Sequence, residues 1–297
     1  MSDKIFIIGG AGYVGSALTE KLVQQGYNVT VYDLLIYGSD FLQKHKNLKI
    51  IQGDIRNYKK LENEITGHNI CIHLACISND PSFELNPLLG KKINLDSFEP
   101  LVQIAKKKGI KKFLYASSSS VYGIKKEKDV TEDLSLNPLT DYSKYKVQCE
   151  KILNTYGSND FTVCTLRPAT VCGFSKRQRF DVIVNILTNL AFHNRKIKIF
   201  GGKQLRPNIH IKDMVDAYIC LINAKDSIIN KKIYNVGSSN FTVEEIAQKV
   251  RKVVGDDVKY QYIKSIDNRS YHINSKKIFE ELKFKTKFTI EDAVKDL

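Results

Sequence analysis

The first 33 residues leave few choices for the fold. Lys4-Ile-Phe-Ile-Ile8 is an apolar run of the length of one buried strand. Gly9-Gly-Ala-Gly12-Tyr-Val-Gly15 follows at once. Ser16–Gln25 then reads as a helix, with Ala17, Leu18, Leu22 and Val23 at helical spacing, and Gly26 ends it. Val29–Tyr32 is a second strand, closed by Asp33. Strand, glycine turn, helix, strand and acid in this order form a dinucleotide-binding unit. Gly9 allows the tight turn. Gly12 lets the backbone approach a pyrophosphate at the helix N-terminus, where free N–H groups and the helix dipole favour anions. Gly15 allows close helix–strand packing. Tyr13 and Val14, inside the same motif, join the expected cofactor contacts. Asp33 is placed to accept hydrogen bonds from an adenosine ribose and to repel a 2′-phosphate. No Arg follows it, so the expected cofactor is NAD.

A second pair of stretches supplies chemistry. Ser118 lies in Ala116-Ser-Ser-Ser-Ser-Val-Tyr-Gly123, and Tyr142 follows 24 residues later in Tyr142-Ser-Lys-Tyr-Lys-Val-Gln-Cys-Glu150. Tyr142 and Lys146 are four residues apart, on one face of a helix. A hydroxyl, a phenol and an ammonium together can take a proton off an alcohol while a hydride leaves the same carbon.

Composition sets limits. A chain of 297 residues can bury a substantial core. No apolar run reaches membrane-spanning length, and the N-terminal one is short and needed as a strand. No membrane insertion and a cytoplasmic location are therefore expected. The six cysteines (71, 76, 149, 164, 172 and 220) lack metal-like spacing, so reduced thiols and no metal are expected. The net charge of +14 raises a nucleic-acid reading, but the basic residues are mostly Lys, scattered in pairs and triplets. A solvated Lys-rich surface is the plainer account. Of the eight Arg, seven lie after residue 166. Arg grips phosphate in a bidentate fork, so the second half is expected to hold an anionic ligand.

Strands and helices alternate through the first half. Leu48–Gln52, Ile70–Ala75, Lys112–Ala116 and Phe161–Leu166 read as strands. Leu95–Lys108 and Tyr142–Tyr156 read as helices. The expected fold is α/β, a Rossmann-type doubly wound parallel sheet over residues 1–170, with a smaller mixed α/β substrate lobe over 171–297. In that lobe Val182–His193, Val215–Asn223, Val243–Val254 and Ser275–Leu282 read as helices, and Lys196–Phe200 as a strand. Ile233–Val236 is a strand expected to return to the first sheet. No linker separates the halves.

These stretches together resemble the extended short-chain dehydrogenase/reductase family, in its NAD-dependent sugar-nucleotide epimerase/dehydratase branch. The resemblance runs through GGAGYVG (9–15), Asp33, GDIR (53–56), HLA (73–75), SSSVYG (118–123), YSKYK (142–146), RPATVCG (167–173), RPNIHIKDMVDAY (206–218) and DNRSY (267–271), nearly the whole chain. It implies that Tyr142 is the catalytic base, with Lys146 stabilising its phenolate and binding the nicotinamide ribose. It implies that Ser118 bonds the reacting oxygen, a role Ser119 or Ser120 can share. Asp54 and Ile55 look like the adenine-contacting pair, and Leu74 and Ala75 line the cofactor. Arg206 resembles the arginine that holds the sugar nucleotide's diphosphate, and Arg269 a second clamp. Asn185 is expected to donate to the same phosphates. Arg177 and Arg179 lie in a loop that reaches either the nucleotide or a neighbouring subunit, with Arg179 and Ser119 placed in the substrate set. His210 reads as structural and Cys172 as a pocket wall.

The shared first step of such enzymes is oxidation of a sugar alcohol, usually at C4. Dehydratases carry carboxylates after the active-site Ser/Thr. Ser119 and Ser120 stand there instead, which counts against elimination, and they supply no acid/base pair for inversion at C3 or C5. Two outcomes remain. The expectation is a C4 dehydrogenase, on a GDP-hexose or GDP-heptose for surface polysaccharide. The alternative is a 4-epimerase that returns the hydride to the opposite face. A third class keeps the fold as an NAD sensor or RNA-binding protein, but such members lose Tyr or Lys of the active site. The resemblance also implies a homodimer, paired through Leu95–Lys108 and Tyr142–Tyr156, and members that commonly run on beyond the stretch matching Ala293–Leu297.

Overall fold

The computed structural model describes every residue except 1, 2, 79, 128, 265–269 and 271, and the side chains of 80 and 81. Its centre is a seven-stranded parallel sheet. In chain order the strands are β1 (Lys4–Ile8), β2 (Asn28–Asp33), β3 (Leu48–Gln52), β4 (Ile70–His73), β5 (Lys112–Ala116) and β6 (Thr162–Pro168), joined later by β10 (Lys232–Val236). Their spatial order is β10-β6-β5-β4-β1-β2-β3. The order reverses between β1 and β4, so a crevice opens at the carboxyl ends of those two strands, where open α/β sheets bind ligands.

The near-continuous apolar strands match a sheet covered on both faces. Ile5, Ile7, Val29 and Val31 face one layer, against Leu18 and Leu22 of α1 (Tyr13–Gln24). Phe6, Ile8 and Cys71 face the other, against Leu61 and Ile65 of α2 (Tyr58–Ile65) and Leu101 and Val102 of α5 (Phe98–Lys107). The expected return of 233–236 to the sheet holds: β10 pairs in parallel with β6, Tyr234 opposite Leu166. Helix α8 (Ile211–Asn223) also packs on the first layer, contributing Met214, Val215, Tyr218 and Leu221. Its C-terminus is tied to β5 by the buried Lys112, whose Nζ donates to the carbonyls of Leu221, Ile222 and Ala224 at 3.2, 2.8 and 2.8 Å. A cation there also complements the helix dipole.

The remaining strands form two smaller sheets. β7 (Thr170–Cys172), β9 (Leu205–His210) and β11 (Ser239–Thr242) make one small sheet, and β8 (Lys196–Phe200) pairs with β12 (Lys259–Ile263). Against them pack α7 (Ile183–Asn194), α10 (Val243–Val254) and α12 (Ile290–Asp296), with Val184, Leu187, Ile246, Val250 and Ala293 in a separate core. The other helices are α3 (Asp80–Leu85), α4 (Pro87–Lys91), α6 (Asp141–Tyr156), α9 (Asp226–Ile229) and α11 (Lys276–Leu282).

Several boundaries differ from the expectation. Helix α1 begins at Tyr13, inside the glycine motif, because Gly12 is its N-cap. β4 ends at His73, and Leu74 and Ala75 bend away, both N–H groups donating to Ile8 O. The expected helix at Leu95–Lys108 starts as a continuation of α4 through a π-helical turn, Lys92–Asp96. There Asn94 turns inward and bonds both the N and O of Ile77 at 2.9 Å. α8 starts at Ile211, four residues early, because His210 Nδ1 caps it by accepting from Lys212 N. Among the described residues no helix is long and apolar enough to cross a membrane.

Candidate active site

A cleft of about 930 Å³ opens at the strand-order reversal and runs between the two lobes. One end is the glycine turn. Gly9 has φ +83°, and a Cβ there would sit 2.5 Å from Ala75 N. A Cβ on Gly15 would press into Gly9 O, so α1 can meet β1 this closely only without side chains. Gly12 caps α1 without any side-chain acceptor, leaving the first-turn N–H groups aimed at the cleft. Asp33 ends β2 beside them. Its Oδ2 accepts from Ala11 N at 3.0 Å and its Oδ1 from Leu35 N at 2.9 Å. Each carboxylate oxygen keeps a further lone pair for a ribose hydroxyl. Tyr13, Val14, Asp54, Ile55, Leu74 and Ala75 all line this end. The Asp54 carboxylate is clamped by Arg56, which holds it below the usual carboxylate range. The residues lining this cradle fit a dinucleotide.

The other end carries the chemistry. Thr140 caps α6 in a capping box with Ser143, which fixes Tyr142 in the helix's first turn. Lys146 lies one turn on, only 5% exposed, its Nζ donating to Ala116 O at 2.6 Å. The ammonium sits between two tyrosines, 4.9 Å from the Tyr115 ring centroid and 5.7 Å from that of Tyr142. Complete burial pushes Tyr115 well above the usual phenol range, so it stays protonated. Tyr142 is the partly exposed one, on the cleft wall. His73, stacked on Tyr115, is pushed down to about 3, first by burial and then by the Lys146 charge, so it stays neutral. Ser118 ends an extended stretch and caps a 3₁₀ turn over Ser119–Tyr122. Ser120 N donates to its Oγ at 3.2 Å, and the hydroxyls of Ser118 and Ser120 lie 2.9 Å apart. Ser118, Ser119, Tyr142 and Lys146 therefore share one cleft with the glycine turn.

The second lobe brings Arg177, Arg179 and Arg206 to the same cleft. Arg179 pairs with Asp181, and Arg206 lies on β9. Asn185 departs from the expectation. It is 1% exposed and does not line the cleft; its amide donates to Tyr13 Oη (3.1 Å) and Arg179 O (2.8 Å) and accepts from Gly173 N (3.0 Å). Its hydrogen bonds are spent on bracing the 173–181 segment, which leaves none for phosphate. Cys172 likewise faces the second lobe's core rather than the cleft, and burial pushes its thiol up to about 12. His210 is structural as expected, stacked on Phe288. Arg269 lies outside the described residues. Residues the sequence reading gave no role include Tyr37, Cys76, Thr170 and Lys198 in the cleft and the buried Glu150–Arg167 pair behind it. Of these only Arg167 left a trace in sequence, as a charge closing the apolar run Phe161–Leu166.

Known proteins share this sequence pattern and this fold. The sequence model of the NAD dependent epimerase/dehydratase family matches residues 5–237. A UDP-glucose 4-epimerase of Lactobacillus helveticus is 29% identical over 276 residues, covering 86% of this chain and 83% of its own. A solved UDP-glucose 4-epimerase of Thermotoga maritima superposes with a TM-score of 0.87 at 23% identity, over 98% of this chain and 96% of its own. A UDP-glucuronic acid 4-epimerase of Bacillus cereus, solved with UDP-glucuronic acid and NAD, does so with a TM-score of 0.87 at 24% identity, over 99% and 97%. The matched stretch contains the glycine turn, Asp33, Ser118, Tyr142 and Lys146, and the chain is an NAD-dependent enzyme belonging to the NAD dependent epimerase/dehydratase family of sugar-nucleotide enzymes.

Proposed function

We propose that the protein is a UDP-sugar 4-epimerase. The observation that carries the reading is one cleft in which Ser118, Tyr142 and Lys146 meet the dinucleotide cradle, with hydroxyls at 119 and 120 where elimination calls for carboxylates. NAD, when bound, supplies a hydride acceptor for the sugar's C4. Tyr142 takes the proton from the C4 hydroxyl and later returns it. The Lys146 ammonium favours the phenolate that does so. Ser118 donates to the same oxygen. Arg206 is suited to hold the diphosphate. The names of the relatives support return of the hydride over release of a ketone, and a uridine nucleotide over the guanosine nucleotide expected from sequence. This reading therefore replaces the dehydrogenase one.

An acidic sugar suits the cleft best. Ser119 is 2% exposed and lines it, yet its hydroxyl has no hydrogen-bond partner among the described residues. Arg179 spends Nε and Nη2 on Asp181, and its Nη1 has no acceptor among the described residues. Tyr142 lies within electrostatic range of that guanidinium. Unspent donors in the cleft favour a group that only accepts, such as a uronate carboxylate. The Bacillus cereus structure carries such a sugar nucleotide.

The test incubates protein and NAD with UDP-glucose, UDP-glucuronic acid and GDP-mannose, following C4 by NMR and absorbance at 340 nm. Inversion of UDP-glucuronic acid without a lasting absorbance rise is expected. A lasting rise restores the dehydrogenase reading, and preference for UDP-glucose removes the acidic sugar alone. Pairing of α5 and α6 into a homodimer is proposed with it. A monomeric mass at micromolar concentration removes that part.

A further inference from the structure

Tyr37 and Arg177 face each other at the rim of the cleft, and no step above uses either. The Arg177 guanidinium carbon lies 3.9 Å from the centroid of the Tyr37 ring, at stacking distance. Tyr37 is 68% exposed, and both residues line the cleft. The contact therefore spans the opening rather than the core.

Both ends of the contact are anchored beside the cofactor cradle. Tyr37 lies four residues past Asp33, in a turn where Leu35 has φ +55° and Gly38 N donates to Leu35 O at 2.9 Å. Leu35 N is itself held by Asp33. Arg177 belongs to the Gly173–Asp181 segment, which is stapled to the first turns of α1. Tyr13 Oη donates to Gly173 O at 2.6 Å, Ser175 Oγ donates to Tyr13 O at 2.8 Å, and Lys176 pairs with Glu20 at 3.0 Å. The segment thus crosses the α1 N-terminus, the place for the pyrophosphate. From there Arg177 reaches the loop beside the place for the adenosine ribose.

We propose that the Tyr37–Arg177 contact is a clasp over the cofactor, which sets how slowly NAD leaves. A dinucleotide lying along the cradle passes beneath the bridge, so its departure requires the stack to open. This deepens the proposed function, since an epimerase reuses one NAD through many turnovers and gains from slow release. The test reads NAD alone, without sugar, so it stands or falls separately from the epimerase reading.

The experiment loads the full chain with labelled NAD and follows release into excess unlabelled NAD by rapid filtration. Arg177→Met keeps the aliphatic stem and removes the charge. Tyr37→Leu removes the ring, and Tyr37→Phe keeps its face. Arg177→Met and Tyr37→Leu should each speed release about tenfold, which is about 1.4 kcal/mol. Tyr37→Phe should stay within about twofold of the parent protein, because the stacking face survives. The double variant should be no faster than either single one, as expected for one shared contact. Unchanged release in both single variants overturns the clasp. So does multiplicative acceleration in the double variant. Acceleration by Arg177→Met alone also overturns it, because Arg177 then acts on NAD directly.

Discussion

Glu150 and Arg167 meet 2.7 Å apart behind the serine turn, each side chain only 3% exposed. The contact is a two-pronged fork, Nε to Oε1 at 3.0 Å and Nη2 to Oε2 at 2.7 Å. Ser117 Oγ donates to the same carboxylate. Arg167 Nη1 donates to Tyr122 Oη at 2.8 Å, and Tyr122 donates to Asn235 Oδ1 at 2.7 Å. One carboxylate thus joins α6, which carries Tyr142 and Lys146, to β6, to the residue before Ser118 and to the end of the 3₁₀ turn. The network holds the base and the hydroxyl donor in one frame.

Breaking this pair from one side leaves a charge buried without its partner. Glu150→Ala is expected to lower stability by about 3–5 kcal/mol, read from urea unfolding midpoints. Replacing both groups by apolar residues, Glu150→Leu with Arg167→Met, removes both charges and is expected to recover most of the loss. A double variant as unstable as the sum of the singles would show that the two side chains act independently.

Tyr142→Phe removes the phenol and leaves the ring. General acid–base groups contribute about 10²–10⁴-fold, so epimerase turnover should fall on the order of 10³-fold. The protein should still bind NAD, since Asp33 and the glycine turn are untouched; nucleotide retained after gel filtration checks this. Turnover equal to the parent protein's would remove Tyr142 from the mechanism.

The sequence was readable where local pattern and burial coincide. β1 was bounded correctly because four consecutive apolar residues, Ile5–Ile8, face two covered layers, and Tyr142 and Lys146 because a helix fixes their spacing. α2 carried no such signal: only Leu61 and Ile65 of its eight residues are buried. β7, β9 and β11 exist through their pairing in one small sheet, which no single stretch displays. Asn185 read as a phosphate donor because its residue type permits it. Its true partner, Tyr13 Oη, lies 172 residues away. Tyr37 and Arg177 were invisible as a pair for the same reason, since their lobes meet only after folding.

Asp33 makes two contacts at once that Asn cannot fully reproduce. Asp33→Asn turns one acceptor oxygen into a donor, which then faces the N–H of either Ala11 or Leu35. It also removes the charge that repels a 2′-phosphate. NAD affinity should fall on the order of tenfold, the scale of one charge-assisted hydrogen bond, and the preference for NAD over NADP should narrow. Fluorescence titration with both nucleotides measures it. An unaltered preference would detach Asp33 from cofactor choice.

His73 makes the fold acid-sensitive. Its Nδ1 is buried with no hydrogen-bond partner among the described residues, and its pKa is pushed down to about 3, by burial first and by Lys146 second. In the unfolded chain a histidine titrates near ~6.5. Between those values the unfolded state binds the extra proton, so stability is complete above ~6.5 and is lost as pH falls toward 3. From this one group the protein should be about 2 kcal/mol less stable at pH 5 than at pH 7. His73→Phe keeps an aromatic ring beside Phe98 and Tyr115 and removes the titration. Urea unfolding of both proteins at pH 7, 6 and 5 should show the parent's stability declining more steeply. Parallel declines would mean that His73 is charged in the folded protein or that its ring is reached by water.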